Sequence, residues 1–235
     1  ASDVYKRQVS DCSDHQTQKS SVMTVTLSTA YFPPIEWLSY VVQSGDWALE
    51  AHEHFQKQSF RSRMLIHGPN GVQFLSVPID RGVKDITCTK ISYSENWVKD
   101  HLKAIETAYA NAPYFEVLFE DVRGLLSKKY ATLWELNAAT INLFMEWMEL
   151  PTSIVTTVGF QNTTSNIDAR AIHPKLLTEV IFPEYHQVFK HKNGFAHNLS
   201  GLDLFFNLGR GSWDYLHELK LQPPINTDDL NEPIL

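Results

Sequence analysis

MTVTLSTAYFPPIEWLSYVVQSGDWALEAH, residues 23–52, decides the fold. MTVTLS is rich in β-formers, and the segment after TAYFPP places Ile35, Leu38, Val41 and Val42 at helical spacing. Pro34 suits a first helical turn and Gly45 a helix end, so the helix is bracketed by residues that start and stop one. DWALEAH then reads as a second strand. Strand, helix, strand at this spacing predicts a parallel β-α-β unit with a right-handed crossover.

Working outward, SFRSRMLI and VQFLSVPI are two further strands joined by HGPNG, whose Pro-Asn-Gly is a strong turn signal. The chain then turns helical in three amphipathic stretches, ENWVKDHLKAIETAYANA, PYFEVLFEDVRGLLSKKY and ATLWELNAATINLFMEWMEL, broken at Pro113 and Tyr130. PTSIVTTVGF is expected as a late strand and QNTTSNIDARAIHPK as a polar loop. NLSGLDLFFNLGRG is expected as a helix with Asn198 or Ser200 near its N-cap and Gly209 or Gly211 near its end. The expected fold class is α/β: a mixed β-sheet begun by a parallel β-α-β unit, with a helical middle and C-terminal helices. One domain is expected over 23–220, with a flexible tail over 221–235.

Residues 1–22 lack periodic apolar residues and read as a disordered tail. Their SDVYKRQ resembles the translation of a transposon end used in preparing sequencing libraries, so the natural chain is expected to begin at Met23.

With 43% hydrophobic and 20% charged residues over 235 positions, the chain can bury a substantial core. A net charge of -7 argues against general nucleic-acid binding, which needs a basic face. Neither a bilayer-spanning apolar run nor a secretory signal pattern is present, so a cytoplasmic location without membrane insertion is expected. Two cysteines, Cys12 and Cys88, support neither a disulfide framework nor a thiolate metal cluster. No nucleophile elbow, phosphate loop or dinucleotide fingerprint is present, and no cofactor is expected. The pattern says nothing about oligomeric state.

AYFPPIEWL, HEHFQKQSFRSRMLI, GPNGVQFLSVPI, APYFE, IHPK and YHQVFKHKNGFAHNLSGLDLFFNLG occur in this order, and together they resemble the WbqC-like family. The resemblance runs from about Met23 to Leu216. It implies a place in the biosynthesis of O-antigen or another surface polysaccharide, with modification of an amino sugar. Longer members carry a Gly-rich insert after the late strand, and here only QNTTSNIDARAIHPK stands in that place, so contacts made by that insert are not carried over.

HEHFQKQSFRSRMLI packs histidines, a lysine and two arginines between apolar runs. Read as a strand, it places Lys57, Ser59, Arg61 and Arg63 on one face. Two arginines there would form a clamp for a carboxylate or phosphate. The alternative is a solvated edge strand or a salt bridge to Glu50 or Glu53. In open parallel sheets ligands bind beyond the carboxyl ends of the strands, which places Ser28, Thr29, Tyr31, His52, Glu53 and His54 at one edge. A helix N-terminus after TAYFPP would add backbone donors there. His52 and His54 read either as a zinc pair completed by Glu50, or as one acid/base residue beside an incidental neighbour. In the second reading, where no metal is held, His52 is the candidate general base and Glu50 or Glu53 orients it.

Tyr31, Lys57, Arg61, Arg63, His173 and Asn198 are the candidate substrate-binding residues. Asn198 reads equally as a helix cap. The expected partner is a small anionic metabolite or sugar nucleotide. Two function classes stand against each other: a transferase that acylates or aminoacylates such a sugar, and a non-catalytic binding protein of the same pathway.

Overall fold

The computed structural model describes residues 24–80, 82–161, 167–175 and 178–221. The expected tail over 1–22 and nearly all of the expected C-terminal tail lie outside them. The opening stretch folds as its pattern predicts. Strand β1 (Val25–Leu27) leads to helix α1 (Ile35–Ser44) and strand β2 (Trp47–Leu49), which pairs parallel to β1 with Leu27 opposite Leu49. Gly45 ends α1 at φ 66°, a left-handed conformation that costs glycine little. Strand β3 (Arg63–Gly68) and strand β4 (Gly71–Ser76) form an antiparallel hairpin across Pro69-Asn70.

The α/β class is as expected, but the parallel and antiparallel pairs sit in separate sheets. The third parallel strand is β5 (Ile167–Asp168), which pairs with β1 to give the order β2-β1-β5. It comes from the segment read as a polar loop. The segment expected as the late strand forms only a bridge: Leu49 N–H donates to the Val155 carbonyl and Thr157 N–H to the Leu49 carbonyl, both at 2.9 Å.

The helical middle is α2 (Trp97–Tyr109), α3 (Phe115–Leu126) and α4 (Leu133–Trp147). Thr132 and Glu135 close a reciprocal capping box at the start of α4. After a single turn, α5 (Lys190–Asn193), the chain ends its described part with α6 (Gly201–Leu208) and α7 (Gly211–Glu218). Phe144 of α4 packs against Phe205 at 5.4 Å, and Phe115 against Phe206 at 5.4 Å, so aromatic rings join α3, α4 and α6 into one core.

Asn198 caps a helix, but not its own. Ser200 caps α6 by accepting from Leu202 N–H. Asn198 Oδ1 instead accepts from Glu36 N–H at 3.0 Å, and its amide donates to the Glu36 carboxylate at 2.8 Å. The Leu199 carbonyl accepts from Ile35 N–H. Two of the first donors of α1 are therefore satisfied from residues 198–199, because Pro33 and Pro34 offer neither a side-chain oxygen nor an N–H. Two of the backbone donors expected from the N-terminus of α1 are thus taken up by the protein itself.

Asp203 of α6 is buried, and its Oδ1 accepts from the Tyr185 hydroxyl at 2.5 Å and from Gln187 at 3.0 Å. Its Oδ2 is buried without a hydrogen-bond partner among the described residues. Burial pushes this carboxyl up to about 6, against a partial opposing pull from Tyr185 and Gln187. The folded chain thus holds a proton that the unfolded chain releases near pH 4, so Asp203 lowers stability as pH rises from about 4 through about 6. Asp203→Asn keeps the shape without the charge. Relative to wild type it is expected to gain about 3 kcal/mol of stability between pH 4 and pH 7, as measured by urea unfolding at each pH. His101, which burial pulls down to about 4, has the opposite slope but is common to both proteins and cancels in the difference. A stability difference that does not change with pH would show that Asp203 is charged throughout.

Candidate functional site

All three parallel strands end at one edge, and the residues at and after their ends are polar or charged. β1 is followed by Ser28, β2 by Glu50 and then Glu53, and β5 ends on Asp168 with Arg170 two residues on. The edge foreseen from strand order is therefore where polar chemistry collects.

Glu50 has no exposed surface and accepts four hydrogen bonds. Oε1 takes His52 N–H at 2.9 Å and the Thr157 hydroxyl at 2.7 Å, while Oε2 takes Gln161 N–H at 3.0 Å and Arg170 at 3.3 Å. Burial alone would raise its pKa, but the bonds from Gln161, His52 and Thr157 and the Arg170 charge outweigh it and hold the carboxyl below its usual value. Arg170 also grips both Asp168 oxygens at 2.8 Å and stacks 4.8 Å over the Phe160 ring.

Glu53 and Arg61 form a second buried pair. Arg61 Nε donates to Glu53 Oε1 at 2.8 Å and its Nη2 donates to Oε2, while Nη2 also reaches Ser28 Oγ at 2.7 Å. Nη1 donates to Gln56, and Asn137 of α4 holds the Arg61 carbonyl at 2.8 Å. This corrects the expected arginine clamp. Residues 57–62 are turns, with Gln58 at φ 60°, and the strand begins only at Arg63. Arg61 and Arg63 thus do not share a strand face, and the salt bridge to Glu53 is the alternative that the structure realises.

The proposed catalytic pairing is also rearranged. Glu50 bonds the backbone of His52 rather than its ring, and Glu53 is committed to Arg61. His52 is exposed, and its Nε2 lies 3.2 Å from the Thr157 carbonyl. A carbonyl only accepts, so Nε2 donates to it, and Nδ1 is the ring nitrogen left to exchange a proton with a ligand. Glu50 holds both His52 and Thr157, so it positions the imidazole through the backbone. His54 faces Asp85 at 3.3 Å. Among the described residues no three His, Cys, Asp or Glu side chains stand close enough to hold a metal ion. Tyr31 is fully buried with its hydroxyl 3.0 Å from His101 Nδ1, so it belongs to the core rather than to a ligand surface.

The IHPK loop does converge on this edge. Lys175 Nζ contacts Gln58 Oε1, and Lys175 N–H donates to His173 Nδ1 at 3.2 Å. Burial, followed by the charges of Arg61, Lys175 and Arg63, lowers the His173 pKa. Arg63 lies over the Phe74 ring at 5.6 Å. Among the described residues neither Arg63 nor Lys175 has an acidic partner, and Lys57 is exposed on the adjoining turn. Sequence reasoning named His173 and Arg63 but missed Arg170, Thr157 and Gln161. The DAR of residues 168–170, an acid and a base two apart after an isoleucine, was the available sign.

The molecule is an α/β protein with a polar cluster at the carboxyl ends of a parallel sheet, walled by the Glu53–Arg61 and Glu50–Arg170 ion pairs and flanked by cations without an acidic partner among the described residues. Residues 29–178, well over half the chain, match the model of the WbqC-like protein family, and the chain belongs to that family. No curated protein and no solved structure matches it. No helix among the described residues is long and apolar enough to cross a membrane.

Proposed function

We propose that the protein binds the phosphate or carboxylate groups of an activated sugar used in surface-polysaccharide assembly in the cytoplasm, and transfers an acyl or aminoacyl group to that sugar's amine. The observation that carries the binding half is the convergence of Arg63, His173 and Lys175 on one edge, where among the described residues neither Arg63 nor Lys175 has an acidic partner. Arginine and lysine in such a place favour oxygen anions, and the buried Arg61–Glu53 pair beneath them keeps the turn in place. His52, with a free Nδ1, is the base that would take a proton from the attacking amine.

The binding half is tested by calorimetric titration with inorganic pyrophosphate. Arg63→Ala and Lys175→Ala should each weaken binding by roughly 10- to 150-fold, the range for charge-assisted hydrogen bonds, with little change in melting temperature. Affinity unchanged in both variants would remove the anion site from this edge. The transfer half is tested with amino-sugar phosphates and thioester donors, where turnover should vanish in His52→Ala.

A binding protein without turnover is the second reading. It draws on one observation: the carboxylates at this edge, Glu50, Glu53 and Asp168, are engaged by structural partners, and among the described residues no acidic side chain bonds the His52 ring.

A further inference from the structure

Phe160 is 57% exposed, although it sits beside a buried ion pair. A lone exposed phenylalanine is ordinary. This one differs in how it is held. The Arg170 guanidinium lies 4.8 Å from its ring centre, so one face of the ring is covered by a planar cation. That cation is itself fixed by both oxygens of Asp168, by Glu50 and by the Gln161 carbonyl at 3.1 Å. The next residue, Gln161, is tied through its N–H to Glu50. The ring is thus a braced shelf, and its remaining exposure is available to a ligand.

Its position gives the shelf a ligand class. Arg170 follows β5 and Glu50 follows β2, with β1 between them, so their contact spans about 10 Å across the sheet edge. Ser28, which follows the central strand β1, is bonded to Arg61, and the turn that carries Arg61 also holds Gln58, which Lys175 contacts. Polar groups therefore extend from the strand ends beside the aromatic shelf to the cations near the IHPK loop. A ligand that fits has a planar aromatic group at one end and an oxygen anion further along. A nucleoside diphosphate has that shape, and a simple sugar phosphate does not.

We infer that Phe160 stacks the base of a nucleotide, so that the activated sugar taken by this site is nucleotide-linked. The inference rests on the anion-binding reading above and adds a second subsite to it. Because stacking uses the ring face rather than base-edge hydrogen bonds, the shelf discriminates weakly between bases.

The test uses the full chain and three probes, inorganic pyrophosphate, UDP and ADP, in calorimetric titrations. UDP and ADP should each bind roughly 5- to 150-fold more tightly than pyrophosphate, the range that base stacking on an aromatic ring supplies. Phe160→Ala should remove that advantage and leave pyrophosphate affinity as it was, whereas Phe160→Trp should retain it. The inference is overturned if pyrophosphate binds but the nucleotides bind no better, or if Phe160→Ala leaves their advantage intact. If none of the three binds wild type, the anion site itself fails, and the shelf with it.

Discussion

Arg61→Ala is expected to lower the free energy of unfolding by about 3–5 kcal/mol, the cost of leaving a buried charge without its partner. Arg61 is 3% exposed and Glu53 7%, so neither charge has much water to turn to. The guanidinium meets both Glu53 oxygens, Ser28 Oγ and Gln56 Oε1, and its removal strips four hydrogen bonds from a desolvated site. Arg61→Lys should recover little, because an ammonium cannot present the planar fork. Removing both charges with Glu53→Leu and Arg61→Met should cost clearly less than the sum of the two single changes, since no orphan charge remains. Urea unfolding of wild type, the single variants and the double variant at neutral pH measures this. Single variants within 1 kcal/mol of wild type, a margin set for surface pairs, would mean that the pair is solvated.

Gly201→Ala is expected to be the next most damaging change. A methyl group at this position would lie 2.4 Å from Leu38 Cδ1 and 2.9 Å from Phe144 Cζ, closer than carbon atoms approach. Neither neighbour can yield easily, because both are fully buried, Leu38 in α1 and Phe144 in α4. Gly201 also donates its N–H to the Pro33 carbonyl at 2.8 Å, so a shift of α6 would pull on the start of α1. Overpacking of this kind costs about 1–3 kcal/mol. Helix propensity alone would favour alanine, so a stabilised Gly201→Ala protein would show that the helices do not approach this closely.

These two sites mark where local pattern stops informing. The β-α-β unit was legible because Pro34 and Gly45 punctuate it and Ile35, Leu38 and Val41 face one way. The hairpin was legible because Pro69-Asn70-Gly71 has one ready use. Arg61 was misread because alternation of polar and apolar residues in SFRSRMLI is what a strand shows, yet a buried turn can hold the same pattern when Asn137 and Glu53 satisfy its polar groups. The strand β5 has two residues, too few to display a period. Asn198 was read as a cap correctly in kind and wrongly in place, since the N–H it accepts from belongs to Glu36, 162 residues earlier in the chain. In the site, His173 and Arg63 were named from their types, while their meeting with Lys175 beside Gln58 depended on loop geometry that no spacing encodes.

The proposed anion sits among Arg63, His173 and Lys175, where the His173 imidazole would report on it directly. Its pKa in the free protein lies below the ordinary histidine value, through burial and the three neighbouring cations. A bound anion offsets those cations and must raise it. In an NMR titration of the His173 ring with and without saturating pyrophosphate, the account predicts a low pKa in the free protein and a clear upward shift in the complex. Pyrophosphate binding that leaves the His173 titration curve unmoved would place the anion elsewhere and contradict the account.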